Sequence, residues 1–228
     1  MQQAYYDSEA AHWETTGENQ SRVVGSFPHH NGHKDYDNLF VKIPDHKNKT
    51  VLDFGCGPGR NLVRYASQFK AIDGVDISQV NLDNAKRWIT HNELDASQFK
   101  LYKCNGVDLS AIPDASYDIV MSTICFQHIC VYDIRYNYLK EFFRVLKPGG
   151  YLAIQMGYGA DAPDSVGYYA NYYAAPGTNR GCDTQVTDAS QIEGDLTKIG
   201  YKDFSYVLGP PCTDSHPFWI YFNAQKPV

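Results

Sequence analysis

The sequence predicts an α/β fold: a mostly parallel sheet of seven strands, helices on both faces, and a C-terminal antiparallel hairpin. Three observations predict it. Apolar segments of strand length alternate with segments of helical spacing through most of the chain, as a parallel sheet demands. The apolar run Val51, Leu52, Asp53, Phe54 breaks into three alternating glycines, Gly55, Gly57 and Gly59, before helical spacing resumes. Two strand-like segments, 204–208 and 218–222, follow one another with only a proline-rich turn between them.

Taken in order, strands are expected near 50–54, 71–76, 99–104, 117–122 and 150–156. Helices fall between them. Ser78 is placed to cap a helix that carries Val80, Ala85, Trp88 and Ile89. Residues 132–146 hold Ile134, Tyr138, Phe142, Val145 and Leu146 at helical spacing, and Pro148, Gly149 and Gly150 stop them. Asp188 with Gln191 three places on has the form of a capping box, opening a helix that buries Ile192, Leu196 and Ile199 and ends at Gly200. A chain of 228 residues suits one domain, 1–228, with a full hydrophobic core. Residues 1–40 and 157–186 fall outside this alternation.

The glycine loop is a ligand cradle. Glycine takes φ > 0 and lets a backbone approach a ligand closely, and the helix after it points unpaired N–H groups at that ligand. Its pattern is G-x-G-x-G, one residue short of the dinucleotide fingerprint. Asp53, standing before the turn, repels a pyrophosphate and suits a positive centre. Asp76 ends the next strand about 20 residues past the loop, where a carboxylate accepts ribose hydroxyls. A nucleoside carrying positive charge satisfies both ends, and S-adenosylmethionine is such a ligand.

These residues resemble the class I S-adenosylmethionine-dependent methyltransferases of the small-molecule type, whose sheet is Rossmann-like. The resemblance covers roughly residues 40 to 228. Asp53 to Gly59 resemble the family's first motif, with Cys56 as a small residue inside it, and Asp76 with Ile77 resembles the ribose site. Gly106, Val107, Asp108 and Leu109 resemble the adenine site, which implies that Asp108 accepts from the exocyclic amine and that the Leu109 N–H meets a ring nitrogen. Residues 117–122, ending at Ser122, resemble the fourth strand, and 145–152 resemble the turn into the fifth. The resemblance implies methyl transfer to nitrogen, oxygen or sulfur of a small molecule. A protein or peptide acceptor, or a non-catalytic S-adenosylmethionine-binding protein, are the alternatives.

In an open α/β sheet, ligands sit outside the carboxyl ends of the strands. The segments 1–40 and 157–186 are therefore read as a substrate cover and a lid that exclude water. Tyr5, Trp13, Tyr168, Tyr169, Tyr172 and Tyr173 are the candidate acceptor contacts, either as an aromatic face for a cation or planar group or as half-wet lid residues. Tyr6 is placed to close over the methionine end, and Arg22 to pair with the cofactor's carboxylate or to lie at the surface. His128, after the fourth strand, is either a general base for an acceptor that must lose a proton or a packing residue. His29, His30 and His33 read as a solvated loop, so no metal is expected.

Composition narrows the partners. A net charge of −6 argues against nucleic acid, whose phosphates need a basic face. No Asn-Pro-Pro-Tyr or Asp-Pro-Pro-Tyr segment follows the fourth strand, where Ser122, Thr123, Ile124 and Cys125 stand. The amino terminus lacks signal-peptide character, and nothing approaches the ~20 apolar residues of a membrane span. Six scattered cysteines without a C-x-x-C pair fit a reducing, cytoplasmic location. The oligomeric state is not encoded in any recognisable pattern.

Overall fold

A strand whose residues are buried on both faces needs cover from both sides, and β1, Thr50–Phe54, has four of its five residues buried. The computed structural model describes residues 3–8, 34–160, 165–173, 183–211 and 216–228. Seven strands form one mostly parallel sheet, in the order Leu101–Lys103, Ala71–Asp76, Thr50–Phe54, Tyr117–Thr123, Leu146–Tyr158, Phe218–Gln225 and Lys202–Pro211, flanked by helices. By internal contacts the chain divides into two compact units, Met1–Lys34 with Asp45–Ile112, and Asp35–Pro44 with Pro113–Val228.

The first unit holds a short helix α1 at residues 3–8, β1, α2 (Arg60–Tyr65), β2 (Ala71–Asp76), α3 (Gln79–His91) and β3 (Leu101–Lys103). β1 pairs parallel with β2, and β2 with β3. Leu82, Ala85 and Ile89 put one face of α3 in the core. Ser78 caps that helix as expected, its hydroxyl accepting from Asn81 N at 3.2 Å. Gly59 has φ +85, and a Cβ there would stand 2.9 Å from that of Ala85. Only a glycine lets the loop turn left-handed and α3 approach this closely.

The second unit holds β4 (Tyr117–Thr123), α4 (Tyr132–Val145), β5 (Leu146–Tyr158), β6 (Ser165–Gly167), β7 (Asp183–Gln185), α5 (Ala189–Ile199), β8 (Lys202–Pro211) and β9 (Phe218–Gln225). β4 and β5 run parallel, while β9 lies antiparallel to both β5 and β8. That is the expected terminal hairpin. The capping box of Asp188 and Gln191 is formed, and Gly200 closes α5 at φ +114. Two departures stand out. β5 starts at Leu146, earlier than the expected 150, because Leu146 already turns extended at the helix end. β6 and β7 pair in parallel as a separate two-stranded sheet within the expected lid. Their three-residue length leaves no periodicity to read. Among the described residues, no helix is long and apolar enough to cross a membrane.

Candidate active site

In the first unit, β1 delivers Asp53 to the mouth of the glycine loop, 1% exposed. Neither carboxylate oxygen meets a donor at hydrogen-bonding geometry. Burial pushes its pKa up to about 7, more than the Asn61 side chain and the Arg60 charge draw it back, with Asp76 adding to the rise. A buried carboxylate without donors is costly, and a cationic ligand beside it would relieve that cost. Gly55, Gly57 and Gly59 all take positive φ, so the loop departs from β1 with its backbone bare.

Asp76, at the end of β2, is 7% exposed. Its Oδ2 accepts from Gly57 N at 2.9 Å and its Oδ1 from Ser78 N at 2.8 Å, with the Asn81 amide at 3.4 Å. Burial raises its pKa, opposed by those bonds from Ser78, Gly57 and Asn81 and reinforced by Asp7. A carboxylate offers about four acceptor sites, so three protein donors leave room for one more. Asp76 thus holds the glycine loop as well as facing the cradle. Helix α1 enters the same neighbourhood: the Ser78 hydroxyl donates to Asp7, while Tyr5 and Tyr6 meet edge to face with centroids 5.4 Å apart. Ile77 packs toward Gly106, whose Cβ would stand 2.8 Å from its Cδ1. Asp108 accepts from Ser110 N, and the neighbouring Leu109 is buried.

These residues fit S-adenosylmethionine. Asp53 supplies a buried carboxylate whose oxygens accept no hydrogen bond of good geometry, with the Arg60 charge acting on it from the start of α2, and Asp76 retains an acceptor site beside the bare glycine backbone.

In the second unit, β4 ends at buried Ser122 and Thr123, and the chain leaves through Ile124 at φ +53. A β-branched residue there is strained. Two glutamines brace the departure: Gln155 Oε1 accepts from Ile124 N and Gln127 Oε1 from Gly157 N, each at 2.9 Å. The braced turn presents His128. Its Nδ1 lies 2.5 Å from Asp183 Oδ1, and the other oxygen of Asp183 lies 2.9 Å from Nε2 of His216. Burial alone would raise the Asp183 carboxyl, but the bonds from His128 and His216 outweigh it and hold the group well below the usual carboxylate range. Asp183 is therefore ionised, and both histidines donate to it.

The segment carrying Asp183 is anchored from beneath. Arg135, 1% exposed on α4, donates to Ile129 O at 2.6 Å, to Thr184 Oγ1 at 2.9 Å and to the carbonyl of Tyr168. Its guanidinium also lies 4.8 Å from the Tyr168 ring centroid. Tyr168 is accordingly buried at 2% exposure, while Tyr169, Tyr172 and Tyr173 are exposed. Trp13 and Arg22, like His29, His30 and His33, lie outside the described residues. Among the described residues, no group of three His, Cys, Asp or Glu side chains is arranged to hold a metal.

Sequence reasoning missed Asp183, His216, Gln127, Gln155 and Arg135. Arg135 was findable, because with Tyr138, Leu139 and Phe142 it completes a helical stripe. The others are brought together only by tertiary structure.

A family model described as a methyltransferase domain matches residues 52–154. The chain is 30% identical over 183 residues to trans-aconitate 2-methyltransferase of Rhodopseudomonas palustris, covering 77% of this chain and 62% of that protein. It is 33% identical over 104 residues to an S-adenosyl-L-methionine-dependent Diels-Alderase of Talaromyces variabilis, covering 46% of this chain and 35% of that one. The chain thus spans less than two thirds of either relative. Among solved structures, phosphoethanolamine N-methyltransferase 2 of Haemonchus contortus, in complex with S-adenosyl-L-methionine, is similar at a TM-score of 0.67 and 20% identity. That match covers 97% of this chain and 57% of the other.

Proposed function

We propose that this chain, which belongs to the class I S-adenosylmethionine-dependent methyltransferases, transfers the methyl group of S-adenosylmethionine to a nitrogen, oxygen or sulfur atom of a small molecule. The observation that carries this reading is Asp53, buried, without hydrogen-bond donors and raised to about 7 beside the glycine loop. Small acceptors are favoured because the relatives named trans-aconitate 2-methyltransferase and phosphoethanolamine N-methyltransferase act on small molecules.

The cofactor, when bound, supplies an electrophilic methyl whose bond to sulfur breaks with its electron pair left on sulfur. The protein's share is to bind, orient and exclude water. Asp53 holds the positive end, Asp76 and the backbone around Asp108 and Leu109 hold the adenosine, and Ile77 borders them. Tyr6 is proposed to close over the methionine end of the cofactor, and Tyr5, Tyr169, Tyr172 and Tyr173 to contact the acceptor. Holding the acceptor at ~3–3.5 Å from the methyl supplies several kcal/mol of barrier reduction. His128 takes the acceptor's proton where one must leave.

Release of S-adenosylhomocysteine across a panel of hydroxyl, amine, thiol and carboxylate metabolites, peptides and nucleic acids tests the proposal. Turnover with one or more small metabolites is expected. Turnover confined to peptides transfers the reading to a protein acceptor. Cofactor binding without turnover anywhere in the panel sinks it in favour of a binding protein.

A further inference from the structure

We infer that Asp183 and His216 are positioning residues for His128, and that the acceptor carries a proton it must lose, on a hydroxyl, thiol or ammonium group, rather than being an ionised carboxylate. The inference rests on the methyltransferase reading above.

The geometry fixes the tautomers. An ionised carboxylate only accepts, so a hydrogen must lie on Nδ1 of His128 and on Nε2 of His216. The hydrogen on Nδ1 of His128 makes Nε2 the ring nitrogen that can take a proton, and the carboxylate offsets the charge that then forms on the ring. Exposure is graded along the three side chains: 26% for His128, 15% for Asp183 and 0% for His216.

His216 is held in place by the loss of side chains around it. A Cβ on Gly157 would lie 2.2 Å from its ring, and one on Gly159 would lie 2.8 Å from Pro217. Its Nδ1 is buried without a hydrogen-bond partner. A buried polar atom left in this state calls for a functional explanation, and occupying the second oxygen of Asp183 supplies one. With both oxygens engaged, the carboxylate cannot rotate away from His128. β7 is rigidly mounted as well: Thr184 donates to Ile129 O and accepts from Arg135, and Val186 O accepts from Gly159 N at 2.8 Å.

An oriented histidine base is useful only where the nucleophile is protonated near neutral pH. A carboxylate, ordinarily ionised above about pH 4, already presents its lone pair. In the proposed step the acceptor's lone pair, freed beforehand by proton loss where the acceptor is an ammonium group, forms the bond to the methyl carbon as the carbon–sulfur bond breaks and leaves its electron pair on sulfur. The acceptor's proton passes to Nε2 of His128 and from there to water. Nothing is oxidised or reduced.

The test uses Asp183→Asn in the full chain, with two readouts. Long-range proton–nitrogen spectra of the ligand-free protein, its histidines labelled with nitrogen-15, report the tautomer of His128. The Nδ1–H form is expected in the parent and its loss in Asp183→Asn. In kinetics, kcat for protonated acceptors is expected to fall about 100-fold or more, with cofactor affinity and KM nearly unmoved. His216→Phe should also lose turnover. His216→Gln, which keeps a donor at the place of Nε2, should recover most of it. An unchanged tautomer, an unchanged kcat, or turnover confined to carboxylates overturns the inference while leaving methyl transfer intact. No turnover with any acceptor, the Nδ1–H signal being present, overturns the methyltransferase reading and reduces the three residues to a structural clasp.

Discussion

Asp53 and Asp76 look alike in sequence, each an acid at the end of a strand, and the structure gives them different tasks. Asp53 is raised from 3.8 to about 7. Below pH 3.8 both folded and unfolded states hold its proton; between 3.8 and 7 only the folded state does, so stability falls as pH rises through that window. At pH 8 the whole cost, on the order of 4 kcal/mol, is present. Asp53→Asn should therefore stabilise the ligand-free protein at pH 8, read from urea denaturation. A cation needs the ionised form, so affinity for S-adenosylmethionine should rise about tenfold from pH 6 to pH 8 in the parent and be weaker and flat in the variant. A flat parent profile by calorimetry would remove Asp53 from the site. Asp76→Ala has a different signature. It strips the acceptor from the Gly57 and Ser78 amides, each orphaned donor costing about 1–3 kcal/mol. Its loss of affinity should come with a lower unfolding midpoint, and affinity lost at unchanged stability would mean that Asp76 does not hold the loop.

Elements that announce themselves through period and caps were legible; those fixed by contact were not. β1, β2, the Ser78 cap and the Asp188 capping box follow from local residues. So does the terminal hairpin, because two apolar runs separated only by a turn have no helix to cross over with. β6 and β7 are different. They stay in place because Arg135 donates to Ile129, Thr184 and Tyr168 from inside α4. Ile134, the sequence's choice for the buried stripe, is only half-buried, one position from the arginine that occupies it. Arg135→Leu keeps the helix and the volume but leaves buried carbonyls without their donor. It should cost roughly 3–5 kcal/mol in urea denaturation, with early loss of amide protection in residues 183–186. Uniform loss of protection throughout α4 instead would mean that Arg135 serves its own helix rather than β7. The candidate site divides along the same line: the glycines and acids proposed for the cofactor draw notice because they cluster within 60 residues. Asp183 stands 55 residues from His128 and 33 from His216, with no local pattern joining them.

At the scale of the molecule, the net charge of −6 bears on which nucleotide is welcome. An acidic protein draws cations and repels polyphosphates, and Asp53 in its proposed role applies the same preference at the glycine loop. Both effects point to an adenosyl ligand with a positive centre over NAD or ATP, although all three share adenosine and the Asp76 region alone would not separate them. Ligand binding to the folded state stabilises it by about 2.7 kcal/mol at one hundred times the dissociation constant. For a chain of this length each kcal/mol moves the unfolding midpoint by about 2–4 °C. Saturating S-adenosylmethionine or S-adenosylhomocysteine should therefore raise the midpoint by roughly 5–10 °C at pH 8. NAD and ATP at the same concentration should leave it within a degree or so, and the S-adenosylmethionine shift should shrink at pH 6, where Asp53 is mostly protonated. An equal rise with ATP would show that the cradle tolerates phosphate and that the charge on Asp53 is not what selects the ligand.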